Sequence, residues 1–511
     1  MWTENTTLSI LNRNNNSSHL PSRLYRAQQV RELDRIAIEE FDDPGISLME
    51  HAGNAVFSAL RLRWPRAKRI AVLCGIGNNG GDGFVVARLA DHLGIRVVIY
   101  LMGNVENLKG DALTAYERLE GTHVEILHYG GQPLDMFDLI VDAMLGTGLK
   151  GEVKGGWRLA IDAINIAANQ SAAVVACDIP SGLHADTGCI LGSAVNADLT
   201  VTFIGLKQGL LTARGPDCCG EIVFDDLQVQ QEIYNRVEHS TTLLSLNSLR
   251  QILRPRHAST HKGQCGHILI VGGNQGMSGA VRMSAEAAYR AGAGLVTVAT
   301  HTSHAHLVNL TRPELMSYGV GNASDLRVLL HRADIVVIGP GLGKDRWAQD
   351  LLSAVLESKK PLIVDADALN LLSMEPQQRA NWVLTPHPGE AATLLKITSK
   401  EIQADRFQAL RSLQEYYGGV AVLKGCGTLV QDESGQPSLC PYGNPGMASG
   451  GMGDVLTGII AGLAAQGVSL IHSAELGVCI HAYAADMAAE NAPRGLLASD
   501  LFPYIRQLVN A

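Results

Sequence analysis

The chain has 511 residues, of which 46% are hydrophobic and 18% charged, and its formal net charge at pH 7 is −9. At roughly 150 residues per domain, this length predicts more than one globular unit. Nucleic acids and anionic membranes bind clustered positive charge, and the sequence contains no run of Lys or Arg. We therefore expect neither a nucleic acid nor a membrane as a partner.

The cysteine pattern and the polar N-terminus indicate a cytoplasmic protein. Nine cysteines are scattered without a Cys-x-x-Cys pair, which is typical of neither a disulfide framework nor a zinc site. Residues 1–22 form a polar segment that we expect to be a flexible tail, because it has no apolar stretch like that of a signal peptide. The longest apolar run, residues 455–468, is interrupted by glycines and is shorter than the roughly 20 residues that a membrane span needs.

In the first half of the chain, apolar residues recur at helical spacing up to residue 63, and short unbroken apolar runs follow. The runs cover residues 70–74, 97–102, 139–144, 173–177 and 199–203. Strands that are apolar on both faces and separated by helix-length segments predict a Rossmann-like parallel sheet with helices on both sides. Ligands of such sheets bind at the carboxyl ends of the strands.

Polar and glycine-rich segments follow three of these strands, at residues 75–83, 142–152 and 178–182. After the first segment we expect a helix that begins near Phe84. Asn79, Asp142 and Ser181 provide oxygen ligands that suit K⁺ or Mg²⁺ better than zinc. Asp178, between a buried strand and a proline, is the candidate acid/base. Each carboxylate taken alone could equally be a turn or helix cap.

Taken together, these motifs resemble the NAD(P)H-hydrate epimerase domain over residues 25–227. They are Asn78-Asn-Gly-Gly-Asp-Gly83, the segment from Asp142 to Glu152 with its Gly-Thr-Gly core, and Asp178-Ile-Pro-Ser-Gly182. The resemblance implies that Asn79, Asp142 and Ser181 hold K⁺ and that Asp178 is catalytic. The substrate contacts that it implies are Asp178, Asn78, Asn79, Gly80, Gly81, Asp82, Gly146, Thr147, Gly148, Leu149, Lys150, Gly151 and Glu152.

The sequence between residues 225 and 261 is polar and irregular, which predicts a domain boundary near 230–245. We take residues 23–235 as the first domain and 236–511 as the second, with a helix over 242–253. The second half repeats the α/β rhythm, with strands expected at residues 267–271, 295–299, 335–338, 362–364, 382–384 and 420–423. Motif-bearing segments follow at residues 272–280, 339–343, 365–370, 385–390 and 424–428.

The stretch from Asn444 to Gly458 is rich in glycine and other small residues and leads into a helix expected near Asp454. Such a backbone can point consecutive amides at an anion. A carboxylate at that point could take a proton from a hydroxyl that attacks a bound phosphate. The alternative is a glycine-rich turn in which Asp454 only caps the helix. The five motifs at other strand ends favour a shared nucleotide cleft.

From residue 259 to the C-terminus the chain resembles the ribokinase-like fold and, within it, ADP- or ATP-dependent NAD(P)H-hydrate dehydratase. Related sugar kinases typically have Thr-Pro-Asn-x-x-Glu, whereas this chain has His387 in place of that Asn. His387 could also be a packed core histidine, and Glu390 could be a helix N-terminal acid or could help to place Mg²⁺. The implied hydrate contacts are Ala280, Gly341, His387 and Asp454. The implied nucleotide contacts are Lys424, Gly425, Cys426, Gly427, Thr428 and Gly453.

The two resemblances imply a bifunctional repair enzyme for hydrated NADH and NADPH, called NADHX and NADPHX. The first domain would interconvert the R and S epimers, and the second would dehydrate the S hydrate with Asp454 as base, ADP as cosubstrate and Mg²⁺. The residues do not decide between ADP and ATP, and the resemblance to fused bacterial forms favours ADP. The family also implies a homo-oligomer. The alternative is a small-alcohol kinase of the same fold with a non-catalytic N-terminal binding module.

Overall fold

The computed structural model describes residues 20–41, 43–490 and 492–510, and most of the predicted tail lies outside them. The contacts between Cα atoms divide the chain into two units, the first ending at Thr241 and the second beginning at Thr242. Both units are α/β. Within the described residues, no helix combines the length and the apolarity that are needed to cross a membrane.

The N-terminal unit alternates strands and helices. Its strands are β1 Arg23–Tyr25, β2 Arg69–Cys74, β3 Arg96–Leu101, β4 Glu125–His128, β5 Leu139–Ala143, β6 Ala173–Cys177, β7 Leu199–Phe203, β8 Leu206–Lys207 and β9 Glu221–Asp225. Its helices are α1 Ala27–Glu40, α2 Gly45–Arg63, α3 Asn78–His92, α4 Gly110–Glu117, α5 Gly155–Gln170 and α6 Gly215–Cys219. The predicted strands are present, and four strands are additional: the short β1 and β8 and the more polar β4 and β9.

The main sheet of this unit is parallel, with strand order β4-β3-β2-β5-β6-β7-β9. Ile70, Val72 and Cys74 pack into a core with α2 and α3, whereas Ala71 and Leu73 pack with α5 on the other face. Burial on both faces explains the unbroken apolar runs. The order reverses between β2 and β5, which is where ligands bind in such sheets.

Two boundaries in this unit differ from the prediction. Helix α3 begins at Asn78 and not near Phe84, so the Asn-Asn-Gly-Gly-Asp motif forms the first turns of a helix. Glycine allows this close approach, because a Cβ on Gly80 would lie 1.9 Å from the backbone oxygen of Gly75. Asp142 lies within β5, opposite Leu73, and does not follow the strand.

The C-terminal unit has the same rhythm. Its strands are β10 Thr241–Leu243, which begins at the unit boundary, β11 His267–Val271, β12 Leu295–Thr300, β13 Met316–Gly319, β14 Ile335–Ile338, β15 Leu362–Val364, β16 Trp382–Leu384, β17 Val420–Leu423, β18 Thr428–Gln431 and β19 Ser438–Cys440. Its helices are α7 Leu246–Leu249, α8 Ser278–Arg290, α9 Ala323–Leu330, α10 Arg346–Glu357, α11 Ala366–Leu372, α12 Pro388–Leu395, α13 Ser399–Ala404, α14 Arg406–Tyr417, α15 Met452–Ala464, α16 Leu470–Ala488 and α17 Phe502–Leu508.

The predicted helix over 242–253 is wrong in extent. Residues up to Leu243 belong to β10, which pairs with β19, and the helix α7 is a single turn. Pairing in the sheet satisfies the backbone at Thr242 and Leu243, so the helix cannot begin there.

Strands β13-β12-β11-β14-β15-β16-β17 are parallel, and β18 and β19 continue the sheet antiparallel. Helices α8 and α15 pack closely over the sheet. A Cβ on Gly458 of α15 would lie 2.1 Å from the Ser284 backbone oxygen of α8, so only glycine fits there. This packing fixes the N-terminus of α15 next to the carboxyl ends of the strands.

Candidate active sites

The N-terminal unit has a cavity of about 600 Å³ at the carboxyl ends of its central strands. Its lining includes residues 76–79 after β2, residues 144–150 after β5, Asp178 after β6 and Phe203 at the end of β7. This volume is typical of a small-molecule site. The cavity lies at the reversal of strand order, as the sheet topology predicts.

Asp178 is held in a strained position at this cavity. Its φ is 63°, in the left-handed region that residues other than glycine rarely adopt, and such strain is characteristic of functional sites. The Asp178 amide donates to the Val201 carbonyl at 2.7 Å. Its Oδ1 accepts hydrogen bonds from the Thr202 hydroxyl at 3.2 Å and the Phe203 amide at 3.3 Å. The carboxylate is therefore fixed against the end of β7.

Lys207, which no sequence motif indicated, forms an ion pair with Asp178. Its Nζ also donates to the Thr202 hydroxyl at 3.2 Å and the Phe203 carbonyl at 3.0 Å, and only 1% of its side chain is exposed. A buried ammonium is costly unless its donors are satisfied, and here three oxygens satisfy them. The only signal for Lys207 in the sequence is its position after an apolar run. Because most lysines are exposed, that position alone does not indicate a buried site residue.

Three more carboxylates line the same cavity: Asp34 on α1, Asp82 on α3 and Asp111 on α4. Burial raises the pKa of Asp34 to about 6, while Lys207 opposes this rise and Asp178 adds to it. Burial also raises the pKa of Asp82 well above its usual value, and the charges of Asp178 and Asp34 add to that rise. Since like charges at close range do not all ionise together, protonated carboxyl groups are favoured in this cavity. Asp34 was not predicted.

Asp142 and Ser181 form a buried polar pair beneath the cavity. Asp142 accepts hydrogen bonds from the Ser181 amide at 2.7 Å, the Ser181 hydroxyl at 2.6 Å and the Met144 amide at 3.2 Å. Burial raises the pKa of Asp142 to about 6, and the hydrogen bonds from Ser181 oppose the rise. The Ser181 hydroxyl also accepts from the Leu145 amide at 2.9 Å, which joins the pair to the cavity-lining segment.

Asn79 lies next to the same segment, because a Cβ on Gly146 would lie 3.4 Å from the Asn79 Cβ. Both polar atoms of its side chain are buried and have no hydrogen-bond partner among the described residues. Buried amides are normally satisfied, so an orphaned one indicates a missing ligand. Oxygens of Asn79, Asp142 and Ser181 are of the hard type that K⁺ accepts, and the residues present therefore fit this cation.

Most of the implied substrate contacts of this unit line the cavity: Asn78, Asn79, Asp82, Gly146, Thr147, Gly148, Leu149, Lys150 and Asp178. Gly80, Gly81, Gly151 and Glu152 lie outside its lining. Because α3 begins early, its turn directs Gly80 onto the backbone of Gly75 and Gly81 onto the Met49 side chain. Glu152 instead forms an exposed ion pair with Lys154 at 3.1 Å.

In the C-terminal unit, the glycine-rich stretch forms the entry to α15. Gly451 is the N-cap residue with a left-handed φ of 91°, and the helix begins at Met452. Asp454 therefore lies in the first turn, and the alternative in which it caps the helix is wrong. The first amides of a helix have no acceptor within it, so this end can bind an anion.

Lys424 connects the strand-end carboxylates around this helix. Its Nζ lies 2.8 Å from Asp365 Oδ1 and 3.7 Å from Glu390 Oε2. Burial lowers the pKa of Lys424, but the two carboxylates outweigh it and the net pKa is raised. A Cβ on Gly453 would lie 3.2 Å from Lys424 Nζ, which places the amine at the start of α15. Asp365 lies in a predicted motif but was not predicted as a site residue.

Asp454 stands beside this network without an ion pair of its own among the described residues. Burial raises its pKa to about 7, the negative charge of Asp365 adds to the rise, and Lys424 opposes it. A general base is most effective when its pKa lies near the working pH. Asp454 therefore has the protonation behaviour of a base at neutral pH.

His387 is the N-cap residue of α12 and not a packed core histidine, since 56% of its side chain is exposed. Its Nδ1 accepts hydrogen bonds from the amides of Gly389 at 2.9 Å and Glu390 at 3.2 Å. Glu390 accepts from the His387 amide at 2.8 Å, which completes a capping box. The other ring nitrogen faces Glu390 Oε1 at 3.5 Å.

The remaining implied hydrate contacts are Ala280, in the first turn of α8, and Gly341, in the loop after β14. A Cβ on Gly341 would lie 3.2 Å from the Ala280 Cβ, so these two positions are adjacent. The loop of Gly341 is joined to the carboxylate network because the Gly343 amide donates to Asp367 at 2.9 Å. Asp367 also contributes to the raised pKa of Asp454.

The predicted nucleotide loop, residues 424–428, rests on Arg406, which sequence reasoning missed. Arg406 is fully buried, and its guanidinium donates to the carbonyls of Leu423 at 3.2 Å, Lys424 at 3.3 Å and Gly427 at 3.3 Å. Gly425 has a left-handed φ of 132° directly over this group. Cys426 is exposed at the tip of the loop.

Two family models match the chain. The model described as YjeF-related protein N-terminus matches residues 45–209, and the model described as NAD(P)H-hydrate dehydratase matches residues 268–507. The bifunctional NAD(P)H-hydrate repair enzyme Nnr of Coxiella burnetii is 52% identical over 491 residues, covering 95% of this chain and 99% of that protein. The chain belongs to the bifunctional NAD(P)H-hydrate repair enzyme family.

Other members of the repair enzyme family match over a similar length. The enzyme Nnr of Escherichia coli K12 is 43% identical, covering 97% of this chain and 95% of that protein. A crystal structure of ADP/ATP-dependent NAD(P)H-hydrate dehydratase from Bacillus subtilis, co-crystallized with ATP/Mg²⁺, is 27% identical with a TM-score of 0.46. It covers 52% of this chain and 96% of that chain. The two family models and the full-length relatives confirm the family resemblance predicted from the motifs.

Proposed function

We propose that the N-terminal unit interconverts the R and S hydrates of NADH and NADPH, and that the C-terminal unit dehydrates the S hydrate with ADP as phosphoryl donor. Membership of the repair enzyme family supports the pair of activities. The observation that carries the second activity is Asp454, a half-buried carboxylate with a pKa of about 7 in the first turn of a helix. We assign the activities to domains of residues 23–235 and 236–511.

The dehydration step is a phosphoryl transfer followed by an elimination. Hydroxide is a poor leaving group, whereas phosphate is a good one. Asp454 takes the proton of the ring hydroxyl, whose oxygen then attacks the β-phosphorus of ADP and releases AMP. The amides of residues 450–453 stabilise the charge on the phosphoryl group during transfer. The ring nitrogen then expels phosphate, and loss of a proton from the neighbouring carbon restores NAD(P)H.

His387 and Lys424 position the two reactants in this proposal. His387 has an exposed ring at the N-terminus of α12, which supports a contact with the hydrate. Lys424 and the loop to Thr428 bind the phosphates of the nucleotide. No group of three or more His, Cys, Asp or Glu in the described residues could hold a metal ion. Mg²⁺ would therefore be held largely by the phosphates, as is common for this ion.

For epimerisation, Asp178 gives and takes the proton at the substrate. Lys207 fixes the Asp178 carboxylate, while Asp34 and Asp82 provide exchangeable protons beside it. K⁺ held by Asn79, Asp142 and Ser181 would supply positive charge at this cavity. The unsatisfied amide of Asn79 supports this placement.

The experiment that tests the proposal follows the absorbance of the reduced nicotinamide in a mixture of both hydrate epimers. Parallel reactions contain ADP, ATP or no nucleotide. We expect full recovery only with ADP. Recovery that stops at one epimer would contradict the role of the N-terminal unit. A stable phosphorylated product without recovery would instead favour the small-alcohol kinase.

A further inference from the structure

The C-terminal unit has a second, larger cavity that none of the catalytic assignments uses. Its volume is about 1310 Å³. Its lining includes Cys265, just before β11, Gly292, just before β12, and residues 466–469 after α15. These positions are at the amino ends of the strands. The cavity is therefore at the opposite end of this sheet from Asp454, away from the usual ligand crevice.

The lining is strongly basic although the chain as a whole carries a net charge of −9. The lining contains two glutamates, Glu286 and Glu314, and it contains no lysine. The arginines that line the cavity are Arg250, Arg254, Arg256, Arg290, Arg312 and Arg506. A guanidinium presents planar paired donors that match phosphate oxygens, so a cluster of six arginines without a lysine favours phosphate over a generic anion.

The acidic residues neutralise only part of this cluster. Glu286 is paired with Arg290, at 3.5 Å, and with Arg312. Among the described residues, no carboxylate lies within ion-pair distance of Arg250, Arg254 or Arg506. The Nε atoms of Arg250 and Arg312 are buried and have no hydrogen-bond partner among the described residues. Buried donors normally have an acceptor, and a bound anion would provide one here.

The ends of α8 and α15 also reach this cavity, and their carbonyls would repel an anion if they were free. They are not free. Arg256 donates to the Gly292 carbonyl at 2.5 Å, and Gln466 donates to the carbonyls of Ala291 at 2.9 Å and Gly462 at 2.6 Å. The negative helix ends are therefore screened by their own partners. Arg254 and Arg506 remain available for a ligand.

We propose that this cavity binds the diphosphate group of a nucleotide at a site separate from both catalytic centres. The volume exceeds the roughly 300–1,000 Å³ of ordinary small-molecule pockets, so it accommodates far more than inorganic phosphate. The guanidinium groups of Arg254 and Arg506 bind the phosphates. The proposal rests on the cavity and its charge and does not depend on the catalytic assignments.

The test is isothermal titration calorimetry, in which the full chain is titrated with ADP, with pyrophosphate and with adenosine. For wild type we expect two ADP sites per chain, pyrophosphate binding, and no binding of adenosine at the arginine site. The double variant Arg254→Ala with Arg506→Ala should weaken one ADP site by at least about tenfold, as expected from lost charge-assisted hydrogen bonds. It should keep the other site and nucleotide-dependent hydrate repair.

The matched control is the double variant Arg327→Ala with Arg346→Ala, which removes the same charge from exposed positions on α9 and α10. It should retain both ADP sites. A single ADP site in wild type that R254A/R506A does not affect would overturn the proposal. A change in sedimentation mass in R254A/R506A would also overturn it, because the cavity would then be an interface between copies of the chain.

Discussion

The two candidate active sites contain the same kinds of groups in different arrangements. In the N-terminal unit, Lys207 contacts Asp178 directly, and Asp34 and Asp82 lie close enough to interact with both charges. In the C-terminal unit, Lys424 contacts Asp365 and Glu390, and Asp454 stands beside them without an ion pair in the described residues. The catalytic candidate Asp178 is therefore held by a lysine, whereas Asp454 is not, because Lys424 pairs with two other carboxylates.

This difference fits the two reactions that we propose. At the C-terminal site, burial and the charge of Asp365 raise the pKa of Asp454 to about 7, so it can accept a proton at neutral pH. At the N-terminal site, Asp178 is fixed by Lys207 and by strain, and protons can reside on Asp34 and Asp82. A one-way proton removal requires only the first arrangement, whereas a reversible transfer benefits from the second.

The largest effect is expected from Asp454→Asn. Loss of the base should reduce dehydration of the S hydrate by about 10² to 10⁴-fold. Epimerisation should be unchanged. The rates are measured by recovery of absorbance and by chromatographic separation of the epimers. Full dehydratase activity in this variant would refute the assignment.

The same variant should also change the pH dependence of the free energy of unfolding, and the direction of the change can be predicted. The folded-state pKa of Asp454 is raised, so its contribution to stability is present at low pH and is lost as the pH rises from about 4 through about 7. Asp454→Asn should therefore be more stable than wild type at pH 8, by about 1–3 kcal/mol, and similar to it near pH 4. Urea unfolding of both proteins at the two pH values measures this difference.

Asp178→Ala should have the reciprocal effect. Repair of the R hydrate should be lost, while dehydration of pure S hydrate should stay within about twofold of wild type, since the second site is intact. Lys207→Met should reduce epimerisation as well, because Asp178 loses the group that fixes it. Equal repair of both epimers by Asp178→Ala would remove Asp178 from the mechanism.

A smaller but sharper effect concerns the pH dependence of dehydration. Since Asp454 must be ionised to act as base, kcat/KM should rise with pH and level off above about 7. Lys424 lowers the pKa of Asp454, so Lys424→Met should move the inflection to higher pH. Glu390 raises that pKa, so Glu390→Gln should move the inflection to lower pH. Shifts of the same sign in both variants would contradict this account.

The sequence predicted the strand ends well and the buried polar partners poorly. Unbroken apolar runs located β2, β5, β6 and β7 because both faces of the sheet are covered. Lys207, Asp34 and Arg406 were missed, since each sits at its site through tertiary packing and has no local motif. The start of α3 at Asn78 was also missed, because glycines at a strand end are typical of a loop. In this fold they instead permit a helix to lie against the backbone.

The smallest expected effect separates a structural role of His387 from a role in recognition. His387 caps α12 through Nδ1, so His387→Ala should lower the free energy of unfolding by about 1 kcal/mol. Asn is among the preferred N-cap residues, so His387→Asn should keep that stability. It reproduces the residue of the sugar kinases and removes the imidazole.

If the imidazole contacts the hydrate, His387→Asn should reduce kcat/KM for the hydrate by about tenfold while its unfolding curve matches wild type. Thermal unfolding and hydrate kinetics are compared for the two variants. A loss of activity in His387→Ala that His387→Asn fully restores would show that the histidine acts only as a cap. The two variants thus test whether position 387 distinguishes this site from that of a sugar kinase.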